Sequence, residues 1–435
     1  MRFGAAVLFG ATATVASAAY VPGRAFDRFV TIWLENQDFT EVEKNPDIQA
    51  LAKEGITLTQ YYGLTHPSQP NYVASIGGDY FGLNHDGFVR VPSNVSTLVD
   101  LFDSKNIPWA GYFEGLPGPG FMGAGSTGAD GAGWDYVRKH NPFISYDSIN
   151  LNGTRLANIL SFDDFDRNVA ANTLPQYMHL SPDMLNDGHN TTLAYAATWS
   201  RAFLQPLLNN PTFMERTLIL LTYDESATYP IPNRIVSLLL GGAVPANLKG
   251  TTDDTVYTHY SILSTLENNW ELPNLGRYDV GANVFNLVAS QTNWTQNHQP
   301  SNFDHVNNSL SYGGFLNSDP AKYKQIPSPN LQLVGAGGQA VERMVGIRWA
   351  QHSDEETPYD GSGDLVDGGN GTTSPNEPVY RVQAPAVVYN GTVPSMTAAA
   401  TSAKTSTSAA GRRDVGGWGM GGLGMVLFSV AFGWL

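Results

Sequence analysis

A hydroxyl, an imidazole and a carboxamide stand together in Thr65-His66-Pro67-Ser68-Gln69-Pro70-Asn71-Tyr72, on backbone stiffened by two prolines. Proline holds its own φ and biases the residue before it towards extended geometry, so 65–71 is expected to be a rigid turn and not an ordinary helix. A hydroxyl held still in such a turn suits nucleophilic attack, which makes Ser68 the candidate nucleophile. Asn71 could donate its amide to a phosphate oxygen, and His66 either acts on a leaving group or braces the turn. Alone, the segment reads equally well as a structural turn. Its weight comes from acids and histidines elsewhere in the chain.

Glu35, Asn36, Asp224 and Glu225 are all oxygen donors. Hard oxygen ligands suit a divalent cation such as Mg, Mn or Ca. Such an ion lowers the pKa of a nearby hydroxyl and neutralises charge on a transferring phosphoryl group. Asp224-Glu225 by itself reads first as a solvated loop at a strand end; the metal reading rests on both pairs ending buried strands. The run from Ser181 to His189 concentrates Asp183, Asp187 and His189, which are acid/base groups or metal ligands. The plainer alternative makes Asp187-Gly188 a turn and Asp183 a cap. His259 opens an expected helix, whose N-terminus favours an anion such as a phosphate oxygen.

The elements that must position these groups alternate. Phe29-Val30-Thr31-Ile32-Trp33-Leu34 is an apolar, β-rich run ending on Glu35-Asn36. Asn45-Pro46 then opens a helix, with Asn at the cap and Pro at the first helical position. A strand over 56–61 leads into the Ser68 turn. Further strands are expected at 109–113, 176–180, 217–222 and 235–240, and helices at about 96–105, 192–208 and 259–270. Strands alternating with helices predict a largely parallel sheet covered on both faces. In such a sheet the site lies outside the carboxyl ends of the strands, where Glu35, 179–183 and Asp224 fall. Residues 300–390, rich in Gly, Asn and Asp, are expected to form loops and short strands packed on the main body.

The ends carry a different message. Met1-Arg2-Phe3, an apolar stretch and small residues at 16–19 read as a secretory signal peptide over 1–19, cut near Ala18 or Ala19. The catalytic domain is placed at 20–392 and a Ser/Thr/Ala-rich stalk at 393–410. Residues 411–435, a polar spacer and an apolar tail, read as a GPI-attachment signal, with a single membrane-spanning anchor as the rival. N-glycan acceptors stand at Asn94, Asn152, Asn190, Asn293, Asn307, Asn370 and Asn390. The chain has no cysteine, which removes every thiol mechanism and every Cys-ligated metal. Its net charge of −15 argues against a nucleic-acid partner.

Taken in order, Glu35-Asn36-Gln37-Asp38-Phe39, the Thr65–Tyr72 segment, Ser181-Pro182-Asp183 through His189, and Thr222-Tyr223-Asp224-Glu225 resemble the phosphoesterase family. That family holds bacterial phospholipases C and acid phosphatases, and the likeness is greatest to fungal secreted, phosphate-repressible acid phosphatases. It spans roughly residues 25–290. The resemblance implies an alkaline-phosphatase-like three-layer α/β/α sandwich with a mostly parallel sheet. It also implies that Ser68 accepts the phosphoryl group, that Asn71 binds phosphate, and that His189 and His259 lie near phosphate or leaving oxygen. Glu35, Asn36, Asp224 and Glu225 become the metal ligands, with Asp183 a further candidate. The motifs supply too few His and Asp ligands for a two-zinc site, so one divalent ion at most is expected. The activity implied is hydrolysis of small phosphomonoesters at the cell surface through a phosphoserine. The alternatives are a phospholipase C or phosphodiesterase on the same fold, or a non-enzymatic GPI-anchored wall protein.

Overall fold

The computed structural model describes residues 20–127, 134–229, 231–303, 311–353 and 355–365. The signal peptide, stalk and GPI signal expected from the sequence, and Asn307, Asn370 and Asn390, lie outside the described residues. Among the described residues, no helix is long and apolar enough to cross a membrane.

The strands in chain order are β1 (Arg28–Leu34), β2 (Ile56–Tyr62), β3 (Trp109–Phe113), β4 (Gly125–Thr127), β5 (Trp134–Val137), β6 (Ile159–Ser161), β7 (Tyr177–Ser181), β8 (Thr217–Tyr223), β9 (Arg234–Leu240) and β10 (Thr251–Thr258). Eight of them form one sheet in the order β10-β2-β9-β8-β1-β7-β3-β6, while β4 and β5 make a separate ribbon. Only β9 runs against its neighbours β2 and β8. The carboxyl ends of β1, β2, β7, β8 and β10 therefore share one edge.

The central strands are apolar on both faces because helices cover both. Every residue of β8 is buried, as is β1 from Phe29 onward. Successive side chains of a strand point to opposite faces. From β1, Phe29 and Trp33 reach the rings of Phe285 and Tyr72, in a helical layer comprising Ser68–Gly77, Leu98–Lys105, Tyr260–Trp270 and Asn286–Thr292. Val30, Ile32 and Leu34 face the opposite side, where helices Pro46–Ala52 and Leu193–Leu208 pack together. The result is a three-layer α/β/α sandwich with a mostly parallel sheet. Helix Pro46–Ala52 starts where the sequence places it, since Asn45 Oδ1 accepts from the amides of Asp47 and Ile48 at 2.9 and 3.3 Å.

Two expectations need correction. The segment after Pro67 is helical: Ser68–Gly77 is an α-helix with Pro70 in its first turn. Proline is tolerated there because the first N–H groups of a helix have no intrahelical acceptor to lose. Residues 311–353 and 355–365 contain no strand; they hold isolated bridges, the helix Arg343–Trp349 and the short 3-10 turns Pro320–Lys322 and Ala350–His352. Buried polar groups tie this segment to the body. Tyr359 Oη donates to Asp79 Oδ2 at 2.5 Å and accepts from Arg277 Nη1 at 2.6 Å, and Tyr312 bonds the other Asp79 oxygen.

Candidate active site

Ser68 is the first residue of its helix and is delivered to the carboxyl edge of the sheet by β2. Its Oγ donates to Glu35 Oε2 at 2.9 Å and also approaches Glu225 Oε1 at 3.2 Å and Asn36 Oδ1 at 3.4 Å. Glu35 follows β1, Asp224 and Glu225 follow β8, and Asp187 follows β7, so neighbouring parallel strands bring all four acids together. Backbone bonds stitch the edge: Glu35 N donates to Asp187 O at 2.9 Å and Asp224 N to Leu34 O at 3.1 Å. Asn36 adopts φ 42°, a left-handed conformation that asparagine tolerates better than most residues. That turn lets its amide donate to Asp224 Oδ1 at 3.1 Å. Gly63 is needed at the end of β2, where a Cβ would stand 2.8 Å from the Asp224 carbonyl oxygen.

Glu35, Asp187, Asp224 and Glu225 are each at most 1 % exposed. Burial raises the pKa of every one of them, and their mutual repulsion adds to the effect in Asp187, Asp224 and Glu225. Tyr72 Oη donates to Glu35 Oε1 at 2.5 Å. Lys139 is held above the ordinary lysine value: burial works against its charge, but Glu35 and Asp86 more than offset this. Its Nζ lies 2.9 Å from Asp86 Oδ2 and 3.2 Å from His189 Nε2.

The donor set fits a divalent cation. The side-chain oxygen of Asn36 faces acceptors, Glu225 Oε1 and Asp224 Oδ1; reversing the amide would let its nitrogen donate to them at 3.0 and 3.3 Å. The fit to a cation rests on the chemistry of the set, since carboxylate oxygens are hard donors that suit a divalent ion. A second group shares Glu35. His140 Nε2 lies 3.1 Å from Glu35 Oε1 and His140 Nδ1 lies 3.4 Å from Asp187 Oδ2. His140 Nε2 and Asp187 Oδ2 are buried without a hydrogen bond, and Glu35, His140 and Asp187 together could hold a metal ion. Burial, with Lys139 and His189 nearby, drives the His140 pKa well down, which keeps the ring neutral as a metal ligand must be.

The other expected residues take varied positions. His66 bonds Glu225 Oε2 through Nδ1, its pKa lowered to about 4 by burial, and stacks under Tyr229 with centroids 3.9 Å apart. His189 lies beside Lys139, its backbone N donating to Asp187 Oδ1 at 2.7 Å. Asn71 faces backbone: Nδ2 donates to Thr65 O at 2.8 Å and Pro67 O at 3.3 Å, and Oδ1 accepts from Leu64 N at 2.8 Å. Asp183 caps its own turn, accepting from the amides of Leu185 and Asn186 at 3.0 and 2.8 Å. His259, expected to meet an anion at a helix N-terminus, is buried behind the site. Its Nε2 meets Asp224 O at 2.7 Å, its Nδ1 meets Tyr61 Oη at 3.3 Å, and Trp33 covers the ring. Burial lowers its pKa to about 4, so the ring is neutral and acts as a prop for the Asp224 backbone.

Lys139 and His140 are absent from the sequence reading. They lie in a short 3-10 helix, Arg138–His140, where no periodicity marks them. The available signal is a run of three basic side chains, Arg138-Lys139-His140, in a strongly acidic chain.

A model of the phosphoesterase family matches residues 37–273. The chain is 48 % identical over 329 residues to a probable acid phosphatase of Kluyveromyces lactis, covering 76 % of this chain and 77 % of that protein. It is 50 % identical over 274 residues to an acid phosphatase of Aspergillus fumigatus, covering 63 % of this chain and 61 % of the other. Among solved structures it is similar to an alkaline phosphatase superfamily protein from Vibrio parahaemolyticus. That match has a TM-score of 0.39 and 12 % identity, over 57 % of this chain and 67 % of the other.

Proposed function

The chain belongs to the phosphoesterase family, and from that premise we propose that it is an acid phosphatase that hydrolyses small phosphomonoesters through a phosphoserine at Ser68. The observation that carries this reading is the Ser68 hydroxyl, buried at a helix N-terminus and hydrogen-bonded to Glu35 with Glu225 in reach. The 44–50 % identity to proteins named acid phosphatases supports the reaction class.

Ser68 Oγ attacks phosphorus and its proton passes to the carboxylate pair it already faces. Lys139, kept charged by Glu35 and Asp86, offsets negative charge on the phosphoryl oxygens. His189, half-buried beside Lys139, gives a proton to the departing alcohol and then takes one from the water that cleaves the phosphoserine. Glu35, Asn36, Asp224 and Glu225 would hold a single divalent cation, which when bound supplies charge neutralisation at the phosphoryl group and a more acidic serine hydroxyl. His66 orients Glu225, and His259 props Asp224. Acid quenching during turnover, followed by peptide mass spectrometry, tests the reading. Phosphate on the Ser68 peptide is expected, and a turnover-competent enzyme that never carries it there would refute the covalent route.

The cell-surface part of the reading rests on the signal-like start, the Ser/Thr-rich stretch and the apolar tail. Asn94, Asn152, Asn190 and Asn293 are all exposed, as glycan acceptors must be. Release of active enzyme from membranes by a phosphatidylinositol-specific phospholipase is the expected outcome. Recovery from cells of a chain still carrying 418–435 would favour a spanning anchor instead.

A further inference from the structure

Beside Lys139 lies a cavity of about 180 Å³ lined by Gln69, Asp86, Phe88, Trp134, Val137 and Arg138 among others. Three features set it apart from an ordinary surface hollow.

The first is Gln69, next in sequence to Ser68. It is 1 % exposed, yet neither its Oε1 nor its Nε2 has a hydrogen-bond partner. A buried polar atom left unpaired forfeits its bonds to water without replacement, so an amide with both ends unpaired is a costly wall for a purely structural cavity. Only its backbone is engaged, N donating to Asp86 Oδ1 at 3.0 Å.

The second is the pair of aromatic rings at the rim. Phe88 is 56 % exposed and Trp134 52 % exposed. Phe88 is not loose: the Arg138 guanidinium lies 4.1 Å from its ring centroid. Arg138 itself is buried and anchored to the carbonyls of Met122 at 3.1 Å and Ile144 at 2.5 Å. One face of Phe88 is thus backed by a fixed cation while the ring remains more than half open to solvent. A ring held that way is a stacking surface.

The third is continuity. Asp86 and Lys139 line the cavity and form the ion pair at the edge of the phosphoryl site. A group departing from a phosphate held at Ser68 and Lys139 would have this cavity as its neighbour.

We propose that the cavity is the leaving-group subsite and that it selects phosphomonoesters whose alcohol carries a planar aromatic ring. The ring stacks at Phe88 and Trp134, and a polar ring edge, as in a nucleobase, bonds the Gln69 amide. The inference rests on the proposed phosphatase reading and adds the substrate class to it.

The test compares kcat/KM for 1-naphthyl phosphate, a nucleoside 5′-monophosphate and glycerol 2-phosphate in the full enzyme and two variants. Stacking free energies of about 1 kcal/mol or a little more correspond to roughly tenfold in rate. Phe88→Ala is therefore expected to lower the naphthyl-to-glycerol ratio about tenfold. Gln69→Leu keeps the bulk and removes the two open polar atoms, so it should leave the melting temperature level or raised. It should also lower the nucleotide-to-naphthyl ratio severalfold. Unchanged ratios in Phe88→Ala overturn the aromatic subsite, and an unchanged nucleotide-to-naphthyl ratio in Gln69→Leu overturns the role of the amide. A failure of the phosphatase reading is distinguishable, because it would appear as absent turnover of all three esters by the wild-type enzyme.

Discussion

The carboxamide of Asn71 grips Thr65 from both ends: Nδ2 donates to the Thr65 carbonyl at 2.8 Å and Oδ1 accepts from its amide at 3.4 Å. Asn71 lies one helical turn after Ser68, and Thr65 begins the approach to it. The pair therefore closes the loop that aims the nucleophile.

This geometry makes a prediction opposed to phosphate binding by the same side chain. Asn71→Ala would leave the buried Leu64 amide without its acceptor, a loss of about 1–3 kcal/mol, and take from the Thr65 carbonyl one of its two donors, the other being Asn233 Nδ2 at 3.0 Å. A clear drop in melting temperature and in kcat is expected, with inhibition by inorganic phosphate little changed. A stable variant whose phosphate inhibition constant rises sharply would return Asn71 to the phosphate.

Ser68→Ala removes only the attacking oxygen. Turnover of an aryl phosphate should fall by several orders of magnitude, the scale expected for loss of a covalent nucleophile. Because Ser68 donates to buried carboxylates, its removal should change stability modestly. Near wild-type turnover in the folded variant would end the covalent mechanism.

The cation prediction separates charge from shape. Asp224→Asn keeps the volume but removes one of the crowded acids, so metal affinity should drop. Activity should be low and partly restored by excess Mg or Mn, since mass action fills a weakened site. Elemental analysis of the purified wild-type protein checks the stoichiometry against the single ion proposed. Full activity after exhaustive chelation, with no metal detected, would remove the ion and leave the acids to share protons.

A pH prediction comes from a buried acid of helix Tyr260–Trp270. Glu267 is buried beside Asp279, and desolvation followed by that neighbour's charge drives its pKa well above the ordinary 4.5. A carboxyl raised on folding contributes stability that is fully present below about pH 4.5 and is lost as pH rises through its folded value. Glu267→Gln keeps the size of the side chain and removes the titrating proton. The melting-temperature advantage of the wild type, measured against this variant, should therefore shrink as pH is raised from acid to neutral. A gap that is constant over that range would show that Glu267 does not titrate there.

The strand ends and their polar residues were legible because they are local patterns. Phe29 to Leu34 and Leu218 to Leu221 can only be buried runs, and Glu35 and Asp224 follow them directly. The start of helix Ser68–Gly77 is hidden in the sequence, because two prolines suggest a turn although a first helical turn tolerates proline. Asp183 and Asn71 carry site-like side chains, but each spends its polar atoms on nearby backbone. Local hydrogen bonding of that kind has no signature that separates it from ligand binding.

By itself, the amino-acid sequence determined the α/β alternation and the acids that follow apolar strands, since each depends on neighbours a few residues apart. Only the tertiary structure decided who meets whom. The order β8-β1-β7 in the sheet sets Asp224, Glu35 and Asp187 side by side. The path of the chain from β5 brings Lys139 and His140 to Glu35 across about a hundred residues of sequence. The same packing hides His259 behind Trp33 and leaves Gln69 unpaired beside the nucleophile. Burial and charge crowding are properties of the assembled edge, so the raised carboxyl pKa values come into being only when the strands are adjacent.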